Sequence, residues 1–231
     1  MMDDSPSALI AEMQAYYGRR AEIYDASMGY DTPDVLRSLE PVIAALCDAM
    51  RDRTVLEIAC GPGFWTQRVA DAATAIAATD YNDSALAMAR AKAIAPARVR
   101  FVRADAYDLS ALDGAVPGTF TGAFAVDWLA HVPTSRIAGF LDGLHRRLAP
   151  RARVAFCDQT PGPVSLTGRY DAEGNHLQER ALPDGSRHRV IKHFFSDDEL
   201  RQLVNRRGED ITIQRFSVPR RVLLSYTVSP A

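Results

Sequence analysis

Short apolar runs alternate with helical patterns through the middle of the chain. Five runs rich in β-branched or apolar residues predict strands, at 54–59, 74–79, 98–104, 120–126 and 153–158. Helical stretches lie between them, with Asp83 as the expected N-cap of 83–95 and apolar residues at helical intervals over 133–150. Because parallel neighbours need a crossover connection, this order predicts an α/β fold with a mostly parallel sheet and helices on both faces.

The segments on either side of this alternation follow other patterns. Residues 7–26 and 33–50 predict two helices before the first strand. After the fifth strand, a stretch rich in turn residues leads into two extended segments that meet at Pro183-Asp184-Gly185. A turn of this composition between extended segments indicates a β-hairpin insertion.

The C-terminal part predicts a helix and a strand pair. Ser196 and Glu199 form the capping-box pattern that begins a helix. The final strands, 210–217 and 221–228, are joined by so short a connection that they must pair antiparallel. We expect one domain over residues 1–231, divided into an N-terminal helical cap (1–52), a core (53–158), an insertion (159–195) and this C-terminal unit (196–231).

Composition and charge narrow the class of protein. Of 231 residues, 47% are hydrophobic and 24% are charged, which is ordinary for a folded globular domain. The net charge is -2 and the basic residues cluster only in pairs, so neither nucleic acid nor an anionic membrane is expected as a partner. We therefore expect a small-molecule partner, and a protein that is a monomer or a homodimer.

The three cysteines indicate a reducing compartment. Cys47, Cys60 and Cys157 are odd in number, far apart and set in apolar stretches, so we expect free thiols. Zinc-binding spacing is absent, and no metal is expected. The first residues carry acids where a secretory signal carries bases, and no window approaches a membrane-spanning run. The expected location is cytoplasmic.

The loop after the first strand carries the strongest chemical signal. Gly61-Pro62-Gly63 joins this strand to a crossover helix, where open α/β sheets bind ligands. The dinucleotide pattern G-x-G-x-x-G fails, because Thr66 stands in place of its third glycine. Glu57 on the strand would also repel phosphates. A cationic ligand without phosphate meets both objections, and S-adenosylmethionine, with its ammonium and sulfonium groups, is such a ligand.

Acidic residues also end three further strands. Asp80 follows the second strand, Asp105 the third and Asp127 the fourth. Each alone is more often a turn or N-cap residue. Together with Glu57 they form a row of carboxylates along one edge of the sheet. Such a row favours an adenosine ligand that bears positive charge.

Four segments in this order resemble the successive motifs of class I S-adenosylmethionine-dependent methyltransferases: LEIACGPGFWT, ATDYNDSALAMARAK, VRADAYDL and HRRLAPRARVAF. The resemblance covers most of the chain. It implies a Rossmann-like sheet of seven mostly parallel strands whose last strand is antiparallel. It also implies methyltransferase activity, with S-adenosyl-L-methionine as the cofactor.

The resemblance further implies which residues contact the cofactor. They are Glu57, Gly61 and Gly63 at the methionine portion, Asp80 at the ribose, Asp105 and Ala106 at the adenine, Tyr81 beside the base, and Ala59, Trp65, Asp127 and Trp128 around them. The segment YYGRRAEIYD at 16–25 resembles the first helix of small-molecule members of the family. By that resemblance Arg20 is a candidate partner for the cofactor carboxylate, and Tyr16, Tyr17 and Tyr24 would close over the site. Aromatics on the buried face of an amphipathic helix would give the same pattern.

Methyl transfer requires alignment of the nucleophile, and a base only where that nucleophile carries a proton. His131, just after the fourth strand, is the expected base, although capping or packing of the next helix would also explain a histidine there. Arg169 and Tyr170 in the insertion are candidates, with Tyr17, for holding an acidic or phenolic substrate. Alternative bases in the insertion are His176, His188 and His193.

The expected substrate is a small, aromatic or heteroaromatic metabolite that receives a methyl group on oxygen, nitrogen or carbon. The fourth strand lacks the Asn/Asp/Ser-Pro-Pro-aromatic sequence of related enzymes that methylate amino groups of adenine, cytosine or glutamine. Two alternatives stay open. One is an NAD-dependent oxidoreductase on a similar sheet, and the other is a non-catalytic S-adenosylmethionine-binding protein.

Overall fold

The computed structural model describes residues 3–95, 97–114, 118–162 and 165–230. The strands are β1 (Thr54–Ile58), β2 (Ala75–Asp80), β3 (Val99–Arg103), β4 (Phe120–Val126), β5 (Leu148–Gln159), β6 (Leu177–Ala181), β7 (Arg187–Ile191), β8 (Gly208–Phe216) and β9 (Arg221–Val228). The α-helices are α1 (Pro6–Arg20), α2 (Tyr24–Ser27), α3 (Pro33–Met50), α4 (Phe64–Val69), α5 (Asp83–Arg90), α6 (Thr134–His145) and α7 (Asp197–Val204). Short 3-10 helices cover Ala21–Ile23, Leu109–Leu112 and Leu129–His131.

Seven strands form one sheet in the order β3-β2-β1-β4-β5-β9-β8, and β6 with β7 forms a separate hairpin. Strands β1 to β5 run parallel, whereas β9 is antiparallel to both of its neighbours. This confirms the predicted α/β, Rossmann-like sheet with an antiparallel last strand. The strand order reverses at β1, between β2 and β4, and ligands of such sheets bind outside the carboxyl ends of the strands at that point.

The predicted helix over 133–150 is wrong in its last turn. Helix α6 ends at His145, and β5 already begins at Leu148. Proline disfavours the α conformation in the residue before it, so Pro150 keeps Ala149 extended. The sheet therefore gains a longer central strand than the apolar run alone indicated.

The predicted helix starts are right in one case and wrong in another. Ser196 and Glu199 form the expected capping box at α7, and the Ser196 amide donates to the Glu199 carboxylate at 2.7 Å. At α5, however, Asn82 is the N-cap and Asp83 is already helical. A carboxylate in the first turn is favourable there, because it faces the positive end of the helix dipole. Helix α5 also ends at Arg90, five residues before the predicted end at 95.

Apolar side chains alternate between the two faces of the sheet, and each face has its own core. Leu56 and Ile58 of β1 belong to one cluster and Val55 to the other. A third cluster lies outside the sheet, between α1 and the β6–β7 hairpin, and consists of Leu9, Met13, Tyr16, Leu177, Leu182, Val190 and Ile191. The α1 helix and the β6–β7 hairpin thus pack into one unit. We call this unit the cap from here on, as distinct from the N-terminal helical cap expected over residues 1–52.

All three cysteines carry free thiols, as predicted. Cys60 and Cys157 are buried, and Cys47 is partly buried. Within the described ranges, no helix has an apolar stretch that would suffice to cross a membrane.

Candidate active site

Two cavities adjoin at the carboxyl edge of the sheet, below the cap. The first, which we call the sheet-edge cavity, has a volume of about 880 Å³ up to its mouth. It is lined by many of the residues expected at the cofactor: Tyr24, Ala59, Gly61, Asp80, Tyr81, Asp105, Ala106, Asp127 and Trp128. Tyr17 and His131 line it as well. The ends of four neighbouring strands therefore bring together residues that are far apart in the chain.

The loop after β1 opens this cavity through its backbone conformation. Ala59 and Gly61 have left-handed φ angles of 53° and 55°. A side chain added at Gly61 would find no atom within 4 Å, so the space in front of this residue is open to a ligand. The loop is anchored to β2, because the Gly61 amide donates to the Asp80 carboxylate at 2.9 Å.

Asp80 is the carboxylate at the centre of the cavity wall. It accepts a second backbone hydrogen bond, from the Asn82 amide at 2.8 Å, and it is 9% exposed. Burial raises the pKa of Asp80, and the amide hydrogen bonds partly offset this effect. A carboxylate oxygen accepts more than one hydrogen bond, so Asp80 keeps capacity for hydroxyl donors of a ligand.

The far end of the cavity has unsatisfied polar atoms. Asp105 is held by the amide of Tyr107, which donates to its carboxylate at 2.9 Å. Within the described residues, the Tyr107 hydroxyl and the Trp128 indole N–H are buried without a hydrogen-bond partner. Buried polar groups are normally satisfied, and both residues line the cavity. These atoms are the observation on this structure that points to a polar ligand.

Three residues expected at the cofactor lie behind the cavity wall instead: Glu57, Gly63 and Trp65 do not line the cavity. Glu57 is 2% exposed and accepts a hydrogen bond from the Thr66 hydroxyl at 2.6 Å. Burial raises the pKa of Glu57 to about 8, so the group is mostly neutral at pH 7. It supports the loop from below and contributes little negative charge to the ligand side.

Gly63 and Trp65 have packing contacts that explain their identities. Gly63 has a φ of 82°, and a Cβ atom there would lie 2.9 Å from the Cβ of Ala89 on α5. Trp65 donates its indole N–H to the Tyr30 hydroxyl at 3.3 Å. The close approach of α4 and α5 thus requires the second glycine of the loop.

The second cavity, which we call the basic cavity, has a volume of about 2000 Å³ up to its mouth and lies between the cap and the start of β9. Its basic lining residues are Arg20, Arg180, Lys192, Arg220 and Arg221. Tyr17, Tyr24, Asp127 and His131 line both cavities. These four side chains therefore form the wall across which the two cavities meet.

Asp127 holds its place in that wall through an ion pair. Its two carboxylate oxygens each lie 3.0 Å from a guanidinium nitrogen of Arg221, and both side chains are almost fully buried. Burial raises the pKa of Asp127, but Arg221 and then Lys192 outweigh burial and hold this pKa below its ordinary value. Such a bidentate pair fixes the start of β9 against the end of β4.

His131 connects three parts of the site. Its Nδ1 lies within hydrogen-bond distance of the Ile191 carbonyl on β7, and its Nε2 lies 3.1 Å from the Tyr17 hydroxyl on α1. Because a carbonyl only accepts, Nδ1 carries the proton and Nε2 accepts from Tyr17. Burial, reinforced by the cation of Lys192, lowers the pKa of His131 to about 3. The imidazole is therefore neutral at physiological pH.

The remaining predicted residues divide between the basic cavity and the surface. Tyr16 and Arg20 line the basic cavity and not the sheet-edge cavity, and the Arg20 guanidinium stacks 4.8 Å from the Tyr24 ring. Arg169 and Tyr170 line neither cavity, and Tyr170 is 59% exposed.

The alternative bases are also accounted for. His176 bonds to Thr167 and to the Lys192 carbonyl, and His188 faces Arg19 and Ser186. None of the three alternative histidines lines either cavity.

Sequence reasoning missed several residues of the site, among them Lys192, Arg221 and Tyr107. Lys192 and Arg221 are buried cations, 3% exposed each, and Tyr107 is the residue after Ala106. A signal did exist for two of them, since Lys192 follows the apolar pair Val190-Ile191 and Arg221 precedes the apolar run of β9. A basic residue in register with a buried strand needs a buried partner or a ligand.

Comparisons with known proteins agree with this geometry. A family model described as a methyltransferase domain matches residues 55–151. Two solved complexes of a protein named DhpI are similar over almost the whole chain. The complex with SAH has 27% identity, a TM-score of 0.75 and coverage of 96% of this chain and 98% of that chain. The complex with SAM and HEP has 27% identity, a TM-score of 0.77 and coverage of 98% and 99%.

A third structure shares the fold. It is the 1,6-didemethyltoxoflavin-N1-methyltransferase of Burkholderia thailandensis with bound 1,6-didemethyltoxoflavin and S-adenosylhomocysteine. It has 16% identity, a TM-score of 0.65 and coverage of 100% of this chain and 93% of that chain. No curated protein sequence is significantly similar to the chain.

The residues of the sheet-edge cavity fit an S-adenosyl ligand. The open space at Gly61, the acidic residues at the ends of β2 and β3, and Tyr107 and Trp128 with their unpartnered polar atoms all belong to the lining of one cleft. Together with the methyltransferase-domain match over residues 55–151 and the S-adenosyl complexes of DhpI, they support an S-adenosylmethionine-dependent methyltransferase with S-adenosylmethionine as its cofactor.

Proposed function

We propose that this enzyme methylates a small, aromatic or heteroaromatic metabolite that binds in the basic cavity. The observation that carries the proposal is the shared wall of Tyr17, Tyr24, Asp127 and His131. Because the two cavities share these lining residues, a substrate in the basic cavity would lie next to a cofactor in the sheet-edge cavity. Tyrosine rings on that wall offer flat apolar surface to an aromatic substrate.

In this proposal the cofactor is held by residues of the sheet-edge cavity. Asp80 would accept hydrogen bonds from the ribose hydroxyls, and Asp105, Ala106 and Tyr81 would hold the base. Gly61 leaves room for the ligand at the loop. When bound, S-adenosylmethionine supplies a methyl group activated by its sulfonium, so the protein mainly has to align a nucleophile, which contributes about 7–11 kcal/mol in well-oriented reactions.

Proton transfer is assigned to Tyr17 and His131. A protonated nucleophile in the basic cavity releases its proton to the Tyr17 oxygen, while the Tyr17 proton passes to His131 Nε2 along the existing hydrogen bond of 3.1 Å. Burial raises the pKa of Tyr17 well above its ordinary value, so the hydroxyl stays protonated before the reaction. The Ile191 carbonyl keeps the imidazole in the tautomer that accepts.

The cofactor part of the proposal is tested by calorimetric titration with S-adenosylhomocysteine. Asp80→Asn should weaken its affinity by roughly tenfold or more, because hydrogen bonds to a charged group contribute about 1.5–3 kcal/mol. Asp83→Asn, which changes an exposed carboxylate three residues further on, is the matched control and should bind normally. Equal affinities for both variants would contradict the role of Asp80.

The substrate part is tested by transfer of labelled methyl groups from S-adenosylmethionine to an extract of small metabolites. We expect label in the low-molecular-weight fraction. Once an acceptor is identified, Tyr17→Phe and His131→Gln should lower kcat with little change in cofactor affinity. A base role further predicts that the rate of His131→Gln rises with pH where that of the wild type is flat. Parallel pH profiles would remove the base role and leave His131 as a support of the cap.

We retain a monomer or homodimer in the cytoplasm as the expected setting. The three free thiols support a reducing compartment. The net charge of -2 gives no support for nucleic acid or an anionic membrane as a partner.

A further inference from the structure

The basic cavity has more positive charge than its own carboxylates balance. Five basic side chains line it, against the two acidic side chains of Asp127 and Glu179. Both acidic groups already have partners, since Asp127 pairs with Arg221 and Glu179 pairs with Arg187, which is outside the lining. The lining cations that make no ion pair with a described carboxylate are Arg20, Arg180, Lys192 and Arg220.

Lys192 is the most unusual of these cations. It is 3% exposed and lines the cavity, and its ammonium makes no hydrogen bond or ion pair with any residue that the structure describes. Burial lowers its pKa, and Asp127 and Asp158, which influence it from a distance, offset this only in part. An ammonium in so buried a side chain is costly without a partner, and an anion bound in the cavity would offset this cost.

The backbone holds Lys192 in this position from both sides. Its amide donates to the His176 carbonyl at 2.9 Å, and its carbonyl accepts from His176 Nδ1 at 2.8 Å. Val190 and Ile191 before it are buried in the cap. The side chain is therefore anchored at its base, with the cavity as the open direction.

Arg180 adds a second donor. Its guanidinium donates to the Gln178 side chain at 2.5 Å, which leaves further N–H groups free for a ligand. It is close enough to lower the pKa of Lys192 and of His131 by electrostatic repulsion. Arg20 and Arg220 line the same cavity and add positive potential to it.

We propose that the basic cavity binds an acidic group of the methyl acceptor, a carboxylate or a phosphoryl-type oxyanion, between Lys192 and Arg180. The inference rests on the proposed function and narrows it, because the substrate must carry an anion as well as a nucleophile. The anion gives Lys192 its missing partner. It also offsets the positive charge beside His131, which makes the imidazole a better proton acceptor once the substrate is present.

Binding of model anions to the complex with S-adenosylhomocysteine tests this inference. Benzoate carries a carboxylate on a phenyl ring, and phenyl phosphate carries a phosphate group on the same ring. Benzamide is the neutral control. Saturation with S-adenosylhomocysteine is confirmed first, so failure of that step contradicts the proposed function alone. In titration calorimetry at low salt, at least one anion should then bind about tenfold more tightly than benzamide. The stronger anion identifies the carboxylate or phosphoryl class.

Two variants assign the effect to the proposed site. Lys192→Gln should abolish the preference for the anion, and Lys192→Arg should restore part of it, with S-adenosylhomocysteine affinity unchanged in both. Arg37→Gln removes an equal charge from an exposed position on α3 and should behave like the wild type. If Lys192→Gln fails to fold, Arg180→Gln, at an exposed position of β6, replaces it with the same expected loss.

Several results overturn the inference. One is equal binding of benzoate, phenyl phosphate and benzamide by the wild type. Another is a preference that survives Lys192→Gln and Arg180→Gln, or that Arg37→Gln reduces to the same extent. Absence of binding by every anionic probe, with S-adenosylhomocysteine bound, counts against it equally.

Discussion

The two cavities are built in different ways. The sheet-edge cavity takes most of its wall from residues that directly follow β1, β2, β3 and β4, and it is acidic. The basic cavity takes its wall from α1, the β6–β7 hairpin and the start of β9, and it is rich in cations. The first follows from the alternation of strands and helices, whereas the second exists only where the cap docks on the sheet. A ligand site at strand ends can therefore be predicted from the sequence, whereas a site between the cap and the sheet cannot.

The docking of the cap depends on contacts that are distant in sequence. Arg189 of β7 pairs with Glu12 of α1 at 2.7 Å, beside the apolar cluster of the cap. Gly18 of α1 comes so close to the loop after β2 that an added Cβ would lie 2.7 Å from the side-chain oxygen of Asn82. These contacts bring Tyr17 over the boundary between the cavities.

The largest expected effect concerns the wall that the cavities share. Arg221→Met leaves Asp127 as a buried, uncompensated carboxylate, which should cost about 3–5 kcal/mol in the free energy of unfolding. Urea denaturation followed by circular dichroism measures this loss. The double variant Asp127→Asn with Arg221→Met should recover part of the stability, because no charge is then left unpaired and asparagine tolerates the left-handed φ of 53° at position 127. A single variant as stable as the wild type would show that the pair does not hold β9 in place.

Variants of the two loop glycines, Gly61 and Gly63, should distinguish a loss of stability from a loss of cofactor binding. Gly63→Ala should lower the free energy of unfolding the most, for two reasons. An alanine in the left-handed conformation costs about 1–2 kcal/mol, and its Cβ would also clash with Ala89. Gly61→Ala meets no atom within 4 Å, so it should lower stability no more than Gly174→Ala, which is equally unobstructed at a φ of 79°. Only Gly61→Ala should weaken S-adenosylhomocysteine binding. Thermal unfolding and calorimetry on the three variants provide the comparison, and a normal affinity for Gly61→Ala would place the ligand elsewhere.

A smaller, pH-dependent effect is expected at Glu57. Its pKa is raised from 4.5 to about 8 in the folded protein, so its contribution to stability is fully present below pH 4.5 and is lost as the pH rises through about 8. Glu57→Gln removes this dependence, and its stability relative to the wild type should grow over that pH window. Urea titrations at a series of pH values test the sign. Glu40→Gln, at an exposed position of α3, should show no such trend.

The smallest effect is expected in the insertion, outside both cavities. Arg169→Ala and Tyr170→Ala should change stability by less than about 0.5 kcal/mol, since both side chains are exposed. They should also leave methyl transfer and cofactor affinity unchanged. A loss of activity in either variant would extend the substrate site beyond the basic cavity.

The errors of sequence reasoning had particular physical causes. The helix predicted over 133–150 ended early because Pro150 excludes the helical conformation at Ala149, although apolar spacing continued to Leu148. Glu57, which the family resemblance implies at the methionine portion of the cofactor, is buried against Thr66 and does not line the sheet-edge cavity. No sequence pattern records how deeply a strand residue is covered.

Sequence patterns alone predicted the α/β fold, the order of its elements, the loop at Gly61 and the carboxylates at the ends of β2, β3 and β4. These follow from periodicity and from the rule that parallel strands end at one edge, which are local properties of the chain. Only the tertiary structure decided that Tyr17, His131, Lys192 and Arg221 meet around a second cavity. Their meeting depends on the packing of α1, the hairpin and β9 across large sequence separations, and on the unequal burial of their charges.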